Sequence, residues 1–234
     1  MLSSCLSRAG AGRDFIPTAV ISPQSTDAAP MEVLQRYMSQ QISTAKLTDY
    51  SVDVEIEAAL PSMHRQGGMK ATRVLSGGTN LAYRNAEFTG DNSIKGDVIT
   101  RYLNGDRDSL KNPVDVSITE TNYTFEHRGI ALYNDHRVHV FEVIPKVKRV
   151  GLYRGELWID IESGRPLREF GRFVKSPSVF LKNVDFVRDY LFAEDPTMKG
   201  RTLPARFIST MDTRIVGPAE LTVHFKNYKF GSKE

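Results

Sequence analysis

The feature that most limits the fold of this chain is a change of hydrophobic period at Tyr50. Before it, Val33, Leu34, Tyr37, Met38, Ile42 and Ala45 fall at helical spacing, opposite Gln35, Arg36, Ser39, Gln40 and Thr44. Pro30 suits a first helical turn, Asp27 or Thr26 can cap or precede it, and Glu32 complements the positive end of the helix dipole. These residues predict one amphipathic helix over 31–46. From Tyr50 onward the period is two. Tyr50, Val52, Val54, Ile56, Ala58 and Leu60 alternate with Ser51, Asp53, Glu55 and Glu57, as in a strand with one buried and one wet face.

The same pattern continues to the end of the chain. β-like runs occur around 69–75, 80–88, 97–103, 121–133, 137–145, 151–162, 166–175, 179–192, 204–216 and 219–230. Turn clusters separate them, among them Ser76-Gly77-Gly78-Thr79, Thr89-Gly90-Asp91-Asn92, Asn134-Asp135 and Glu162-Ser163-Gly164. A second, short helix can form near Asp106–Lys111. No strand–helix–strand alternation is present, which argues against a parallel doubly wound sheet. Three runs carry a glycine in the middle: Arg128-Gly129-Ile130, Arg154-Gly155-Glu156 and Phe170-Gly171-Arg172. Such glycines are tolerated where a sheet bends sharply or another backbone comes close. The expected fold is mainly β: a strongly curved antiparallel half-barrel of about ten strands wrapped over the N-terminal helix. Residues 1–30, rich in Ser, Ala, Gly and Pro, read as a flexible tail, and 31–234 as a single domain.

Composition sets the outer limits. The 234 residues are 40% hydrophobic and 25% charged, which belongs to a globular protein and not to a disordered or fibrous one. The net charge of +3 is the difference between 31 basic and 28 acidic residues spread along the chain, so no nucleic-acid-binding stripe is implied. No apolar run reaches the length of a membrane span. Cys5 is the single cysteine, which leaves no intrachain disulfide and no cysteine metal site. Leu2-Ser3-Ser4-Cys5 reads either as the end of a bacterial lipoprotein signal, with Cys5 the lipidated residue, or as a chance match in a Ser-rich tail.

Catalytic signatures are missing: no nucleophile elbow, phosphate-cradling loop or His-Glu-x-x-His motif occurs. Asp135-His136-x-x-His139 looks like a metal pair, but residues three apart in a strand point to opposite faces. His127 and Glu142 are expected to face each other across the hairpin at Asn134-Asp135. Asp53, Glu55 and Glu57 belong to the wet face of their strand. Lys146, Lys148, Arg149 and Arg154 form a modest basic cluster that reads as a solvated loop, with acidic lipid headgroups as the alternative contact. No enzyme activity, metal or cofactor is expected. Apolar residues are instead in surplus: Tyr123, Phe125, Phe141, Val143, Leu157, Ile159, Phe186, Tyr190, Phe207, Met211, Val223 and Phe225 all stand as inward candidates. A cleft between sheet and helix lined by such residues can take an acyl chain.

Three segments extend this reading to a family. Val140-Phe141-Glu142-Val143-Ile144-Pro145-Lys146 is followed by Gly155-Glu156-Leu157-Trp158-Ile159-Asp160, then by Gly164-Arg165-Pro166-Leu167-Arg168 and Gly171. This succession resembles the bacterial outer-membrane lipoprotein-sorting proteins of the LolA/LolB-like superfamily, over roughly residues 31–230. The resemblance implies an unclosed half-barrel over helices, with an apolar cavity for lipoprotein acyl chains, in the periplasm or at the outer membrane. It carries no arginine of that cavity onto any residue here. The superfamily also contains sensors of mislocalised lipoproteins and glycolipid carriers. The reading is thus a non-enzymatic carrier or sensor, with Val54, Ile56, Phe141, Leu157, Ile159 and Phe207 lining the cleft by apolar contact. The alternative is an envelope regulatory or assembly module that binds a protein partner through its loops or sheet edge, with Phe180 in Ser176-Pro177-Ser178-Val179-Phe180-Leu181 as its candidate contact.

Overall fold

The structure is a computed structural model that describes residues 20–24, 27–44, 49–110, 116–176, 181–192, 202–214 and 217–231. A two-residue strand β1 (Val20–Ile21) precedes helix α1 (Pro30–Thr44). Then come β2 (Tyr50–Leu60), β3 (Arg65–Ser76) and β4 (Asn80–Gly90). A continuous helical segment follows, formed by α2 (Asn92–Ile94), a π-helical turn (Lys95–Ile99) and α3 (Thr100–Ser109). Seven more strands follow among the described residues: β5 (Tyr123–Tyr133), β6 (His136–Pro145), β7 (Tyr153–Asp160), β8 (Pro166–Phe173), β9 (Leu181–Phe192), β10 (Thr202–Thr213) and β11 (Pro218–Phe230). All eleven strands belong to one antiparallel sheet in the order β1-β5-β6-β7-β8-β9-β10-β11-β2-β3-β4, and its two ends do not pair with each other. The sheet is open.

One correction concerns 97–103, which the β-branched run Val98-Ile99-Thr100 marks as a strand. It is helix. The Asp91 side chain accepts from the Ser93 backbone N–H at 2.8 Å and starts the segment. Ile94, Val98, Ile99 and Leu103 then fall on one helical face and are buried against β2, β3 and β11. Burial of that stripe outweighs the modest helix penalty of β-branched residues. The sheet therefore carries two helical covers, and the short helix expected near Asp106–Lys111 is the end of the second, which reaches back to Asn92.

The cross-strand register aligns a single row over ten strands: His127, Phe141, Leu157, Glu169, Arg188, Phe207, Val223, Ile56, Met69 and Phe88, each opposite the next. Directly opposed residues share a face, so this row defines one side of the sheet. Both covers pack on it. Val33, Leu34 and Tyr37 of α1 are buried with Phe141, Val143, Leu157, Ile159 and Phe186, while the α2–α3 segment is buried with Val54, Ile56, Met69 and Val223. The next row on the opposite face is mostly charged: Arg168, Asp189, Arg206, His224, Glu55, Lys70 and Glu87. There Glu55 pairs with Lys70 at 3.1 Å and Lys226 at 3.2 Å, which identifies the acidic face of β2 as solvated structure.

Two of the three mid-strand glycines are partners. Gly155 lies opposite Gly171 between β7 and β8. A Cβ on Gly155 would stand 2.0 Å from the Phe170 carbonyl oxygen and 2.5 Å from the Gly171 Cα, so the two strands approach too closely there for any side chain. The third, Gly129, has φ 128° and follows a β-bulge at Arg128. Asn134 and Asp135, with φ 48° and 63°, make the two-residue turn expected between β5 and β6. Among the described residues, no helix is long and apolar enough to cross a membrane.

Candidate functional site at the seam between the helical covers

The ten-strand row contains one pair of opposite charges, Glu169 on β8 and Arg188 on β9. They lie where the cluster under α1 ends and the cluster under α3 begins. Phe207, on the neighbouring β10, packs against both clusters. The α3 residue Tyr102 stacks on Phe207 with ring centroids 6.1 Å apart, and Phe207 stacks on Phe186 at 6.0 Å. Phe186 meets Tyr153 edge-on at 4.8 Å. An aromatic seam thus joins the two halves, with an ion pair on its floor.

Glu169 is 2% exposed and fully engaged. Its Oε2 accepts from the Tyr153 hydroxyl at 2.8 Å, and its Oε1 accepts from Arg188 Nη1 at 2.5 Å and from the Tyr190 hydroxyl. Burial raises the pKa of Tyr153 and Tyr190 far above the ordinary phenol value, and the Glu169 charge raises it further. The same two causes raise the pKa of Tyr37 on α1. Both phenols on Glu169 are therefore fixed donors. Burial acts against the charge of Arg188, but Glu169 and Tyr190 more than offset it and hold the guanidinium ionised.

Arg188 differs from the other arginines buried in this sheet. Arg73, on the same face, gives Nε and Nη2 to Asp106 at 2.8 and 3.3 Å and Nη1 to the Tyr50 hydroxyl, and its side chain is 9% exposed. Arg168, on the opposite face, gives Nε to Asp189 at 2.6 Å, and Arg206 and the Tyr133 hydroxyl share that carboxylate. Among the described residues, Arg188 places only Nη1 on acceptors: Glu169, and a longer 3.4 Å contact to Tyr190. Its side chain keeps 36% of its surface open, although it stands in the middle of the helix-bearing face. Its Cζ lies 5.7 Å from the Phe186 ring centroid and 5.6 Å from that of Phe207.

The six residues expected to line the cleft all lie on the helix-bearing face, but in two groups. Phe141, Leu157 and Ile159 are buried under α1, Val54 and Ile56 under the α2–α3 segment, and Phe207 bridges them. Cys5, Ala45 and Phe180 lie outside the described residues. Surface depressions of about 470 and 460 Å3 occur elsewhere. One involves Leu81 and Arg107; the other lies over the Gly155–Gly171 pair among Glu142, Arg154, Arg172 and Asp185. The basic cluster near β6 is dispersed, with Arg154 bound to Glu142 at 2.8 Å. His136 and His139 do turn apart, the first to Asp160 at 3.1 Å and the second to the Ala28 carbonyl at 2.9 Å. The expected His127–Glu142 pairing is displaced by the bulge at Arg128. His127 stands opposite Phe141 and bonds His139, with 2.9 Å between Nε2 and Nδ1, while Glu142 bonds Arg128 and Arg154. Among the described residues, no group of three or more metal-ligating side chains converges.

Sequence reasoning missed Glu169 and Arg188. The signal was present in the alternation. Leu167, Glu169, Gly171 and Phe173 share one parity on β8, and Val184, Phe186, Arg188 and Tyr190 share one on β9. A single charge stands on each apolar face.

No family model matches the chain, and no curated protein matches it in sequence. It is similar to several solved structures. One is a LolA superfamily protein from Nitrosomonas europaea, 14% identical, covering 88% of this chain and 96% of that one, with a TM-score of 0.42. Another is a DUF1329 family protein from Desulfovibrio piger, 11% identical over 87% of this chain and 94% of that one, with a TM-score of 0.43. A third is an outer membrane lipoprotein-sorting protein domain from Vibrio parahaemolyticus, 13% identical over 87% and 95%, with a TM-score of 0.37.

Proposed function

We propose that this protein is a non-enzymatic carrier or sensor of the bacterial cell envelope that holds a lipid or lipoprotein acyl chain against the helix-bearing face of its sheet. One observation carries the reading: a row that is apolar apart from His127 and the Glu169–Arg188 pair crosses ten strands under two separate covers that meet at a seam. An acyl chain lying along that row exchanges hydration for contact with residues such as Phe141, Leu157, Phe207 and Ile56. At about 0.8 kcal/mol per buried methylene, a chain of about fifteen methylenes gains roughly 12 kcal/mol gross. Parting the covers and ordering the chain offset a portion of that gain. Entry requires α1 to lift or slide, because Val33, Leu34 and Tyr37 occupy the row in its closed form. The periplasm or the outer membrane is the setting that the family resemblance favours, with Cys5 as the point of a lipid anchor.

A second reading, a module that binds a protein partner, is favoured by β4. This eleven-residue strand ends the sheet, and residues 84–90 along it are exposed. An extended segment of another envelope protein would add to that edge. Palmitate is expected to displace a fluorescent fatty acid from the purified protein, and the protein is expected to carry an acyl ligand in native mass spectrometry. Hydrogen exchange on the loaded protein is expected to protect α1 and β6–β10. Apo protein only, with no displacement, overturns the acyl-binding reading. Protection confined to β4 in the presence of envelope extract favours the partner-binding one.

A further inference from the structure

We infer that Arg188 is a head-group anchor, so that the ligand taken at the seam is a single-chain amphiphile with a carboxylate head whose tail lies along the apolar row. This rests on the acyl-binding reading above and narrows it from any acyl chain to an anionic one.

The geometry leaves Arg188 with an unused binding edge. A guanidinium presents five N–H donors in a planar fork, and two parallel donors match the two oxygens of a carboxylate. Nη1 is committed to Glu169. Among the described residues, Nε and Nη2 have no acceptor, although Arg73 in the same sheet face uses every one of its nitrogens. Glu169 does not need that second edge. Its two oxygens already accept from Tyr153, Tyr190 and Nη1, and it is shut off from solvent. The open part of Arg188 therefore belongs to something other than the internal pair. The Phe186 and Phe207 rings flank the guanidinium and limit its rotation, so the unused edge is presented in a fixed direction.

Its place in the fold suits an amphiphile. Arg188 sits three strands from Phe141 on one side and three strands from Ile56 on the other, about 14 Å each way at ordinary strand spacing. A head bound there can send its tail under either cover. Glu169 keeps the pair neutral without a ligand, so the empty site carries no bare buried charge, and a carboxylate that binds completes the second half of the fork.

The test compares palmitate, methyl palmitate and inorganic phosphate on the full chain, by displacement of a fluorescent fatty alcohol. Wild type is expected to bind palmitate about 10- to 100-fold more tightly than methyl palmitate, the range of a charge-assisted bidentate contact. In Arg188→Met/Glu169→Gln, which removes both charges and leaves an acceptor for the two phenols, that preference is expected to vanish, so that acid and ester bind alike. Arg188→Lys, which keeps the charge and loses the fork, is expected to retain only part of it. Equal binding of acid and ester by wild type overturns the anchor and leaves the acyl-binding reading standing. A palmitate preference that survives in the double variant overturns it as well, because the carboxylate is then read elsewhere. Phosphate alone displacing the probe at equal concentration reveals a free-anion site and overturns the amphiphile. Failure of both palmitate and its ester to bind removes the acyl-binding reading itself.

Discussion

The two halves of the sheet are covered by helices in opposite ways. Beneath the α2–α3 segment lies a closed polar lock. Arg73 spans Asp106 and Tyr50, and the Tyr83 hydroxyl bonds Asp106 at 2.5 Å, all between the helix and the strands it covers. Beneath α1 the contact is apolar, made by Val33, Leu34 and Tyr37. The polar attachments of α1 lie at its rim. Arg137 holds Asp27 through two bonds of 2.7 and 3.0 Å, His139 meets the Ala28 carbonyl, and Arg36 reaches the carbonyls of Ile161 and Glu162 at 2.9 and 2.8 Å. Lifting the α2–α3 segment would strand a buried charge. Lifting α1 exposes hydrocarbon and breaks the Arg36 bonds, while Asp27 and Ala28, held by Arg137 and His139, lie before its first residue, so α1 is the cover built to move.

The largest expected effect tests the lock. Arg73→Met leaves the Asp106 carboxylate without its cation in a half-buried site, and removal of one partner of such a pair costs about 3–5 kcal/mol. Urea unfolding is expected to show that loss, and Arg73→Met/Asp106→Leu is expected to recover most of it. If the single variant loses less than about 1 kcal/mol, the two covers are held equally loosely and the contrast fails.

A cavity under α1 tests the other half. Leu34 is 1% exposed, and Leu34→Ala is expected to cost about 2–4 kcal/mol. The distinguishing readout is where the loss is felt. Hydrogen exchange is expected to speed up in α1 and leave the α2–α3 segment unchanged, and fatty-acid uptake is expected to become faster. Uniform acceleration across both covers would mean that the sheet opens only as one unit.

This division was only partly readable in the sequence. The helix at Val33–Met38, the alternation of β2 and the turn at Asn134–Asp135 are local signals, and each is seen in the fold. The Gly155 and Gly171 runs could be read as bends, but their pairing needs the register. The second cover was hidden because Val98-Ile99-Thr100 favours extended backbone locally, and the stripe that overrides it becomes favourable only against β2 and β11. Without a bulge, the turn at Asn134-Asp135 sets His127 opposite Glu142. One extra residue at Arg128 shifts that register, and in a strand a shift of one exchanges the faces. Glu169 and Arg188 look unremarkable alone, because the character of each depends on a partner nineteen positions away.

The smallest effect concerns the rim of α1 and is set by pH. The Ala28 carbonyl can only accept, so His139 Nε2 carries its proton and Nδ1 is left to accept from His127 Nε2. Burial, and secondarily the proximity of His139, hold the pKa of His127 below its ordinary value of 6.5. A base whose pKa is lowered by folding binds fewer protons folded than unfolded, so stability rises with pH through that window. The contribution is complete above about pH 6.5 and is lost as the pH falls through the depressed value. Asp27, held low by Arg137, loses its share further into acid. Acid therefore loosens the start of α1. His127→Gln, which keeps a donor but cannot titrate, is expected to flatten the fall between pH 6.5 and pH 5 while the unfolding midpoint at pH 8 stays the same. If the slope survives in that variant, the histidine pair is not the acid-sensitive part of the rim. Exchange rates in α1 measured at pH 5 would then assign the remaining slope to Asp27 and Arg137.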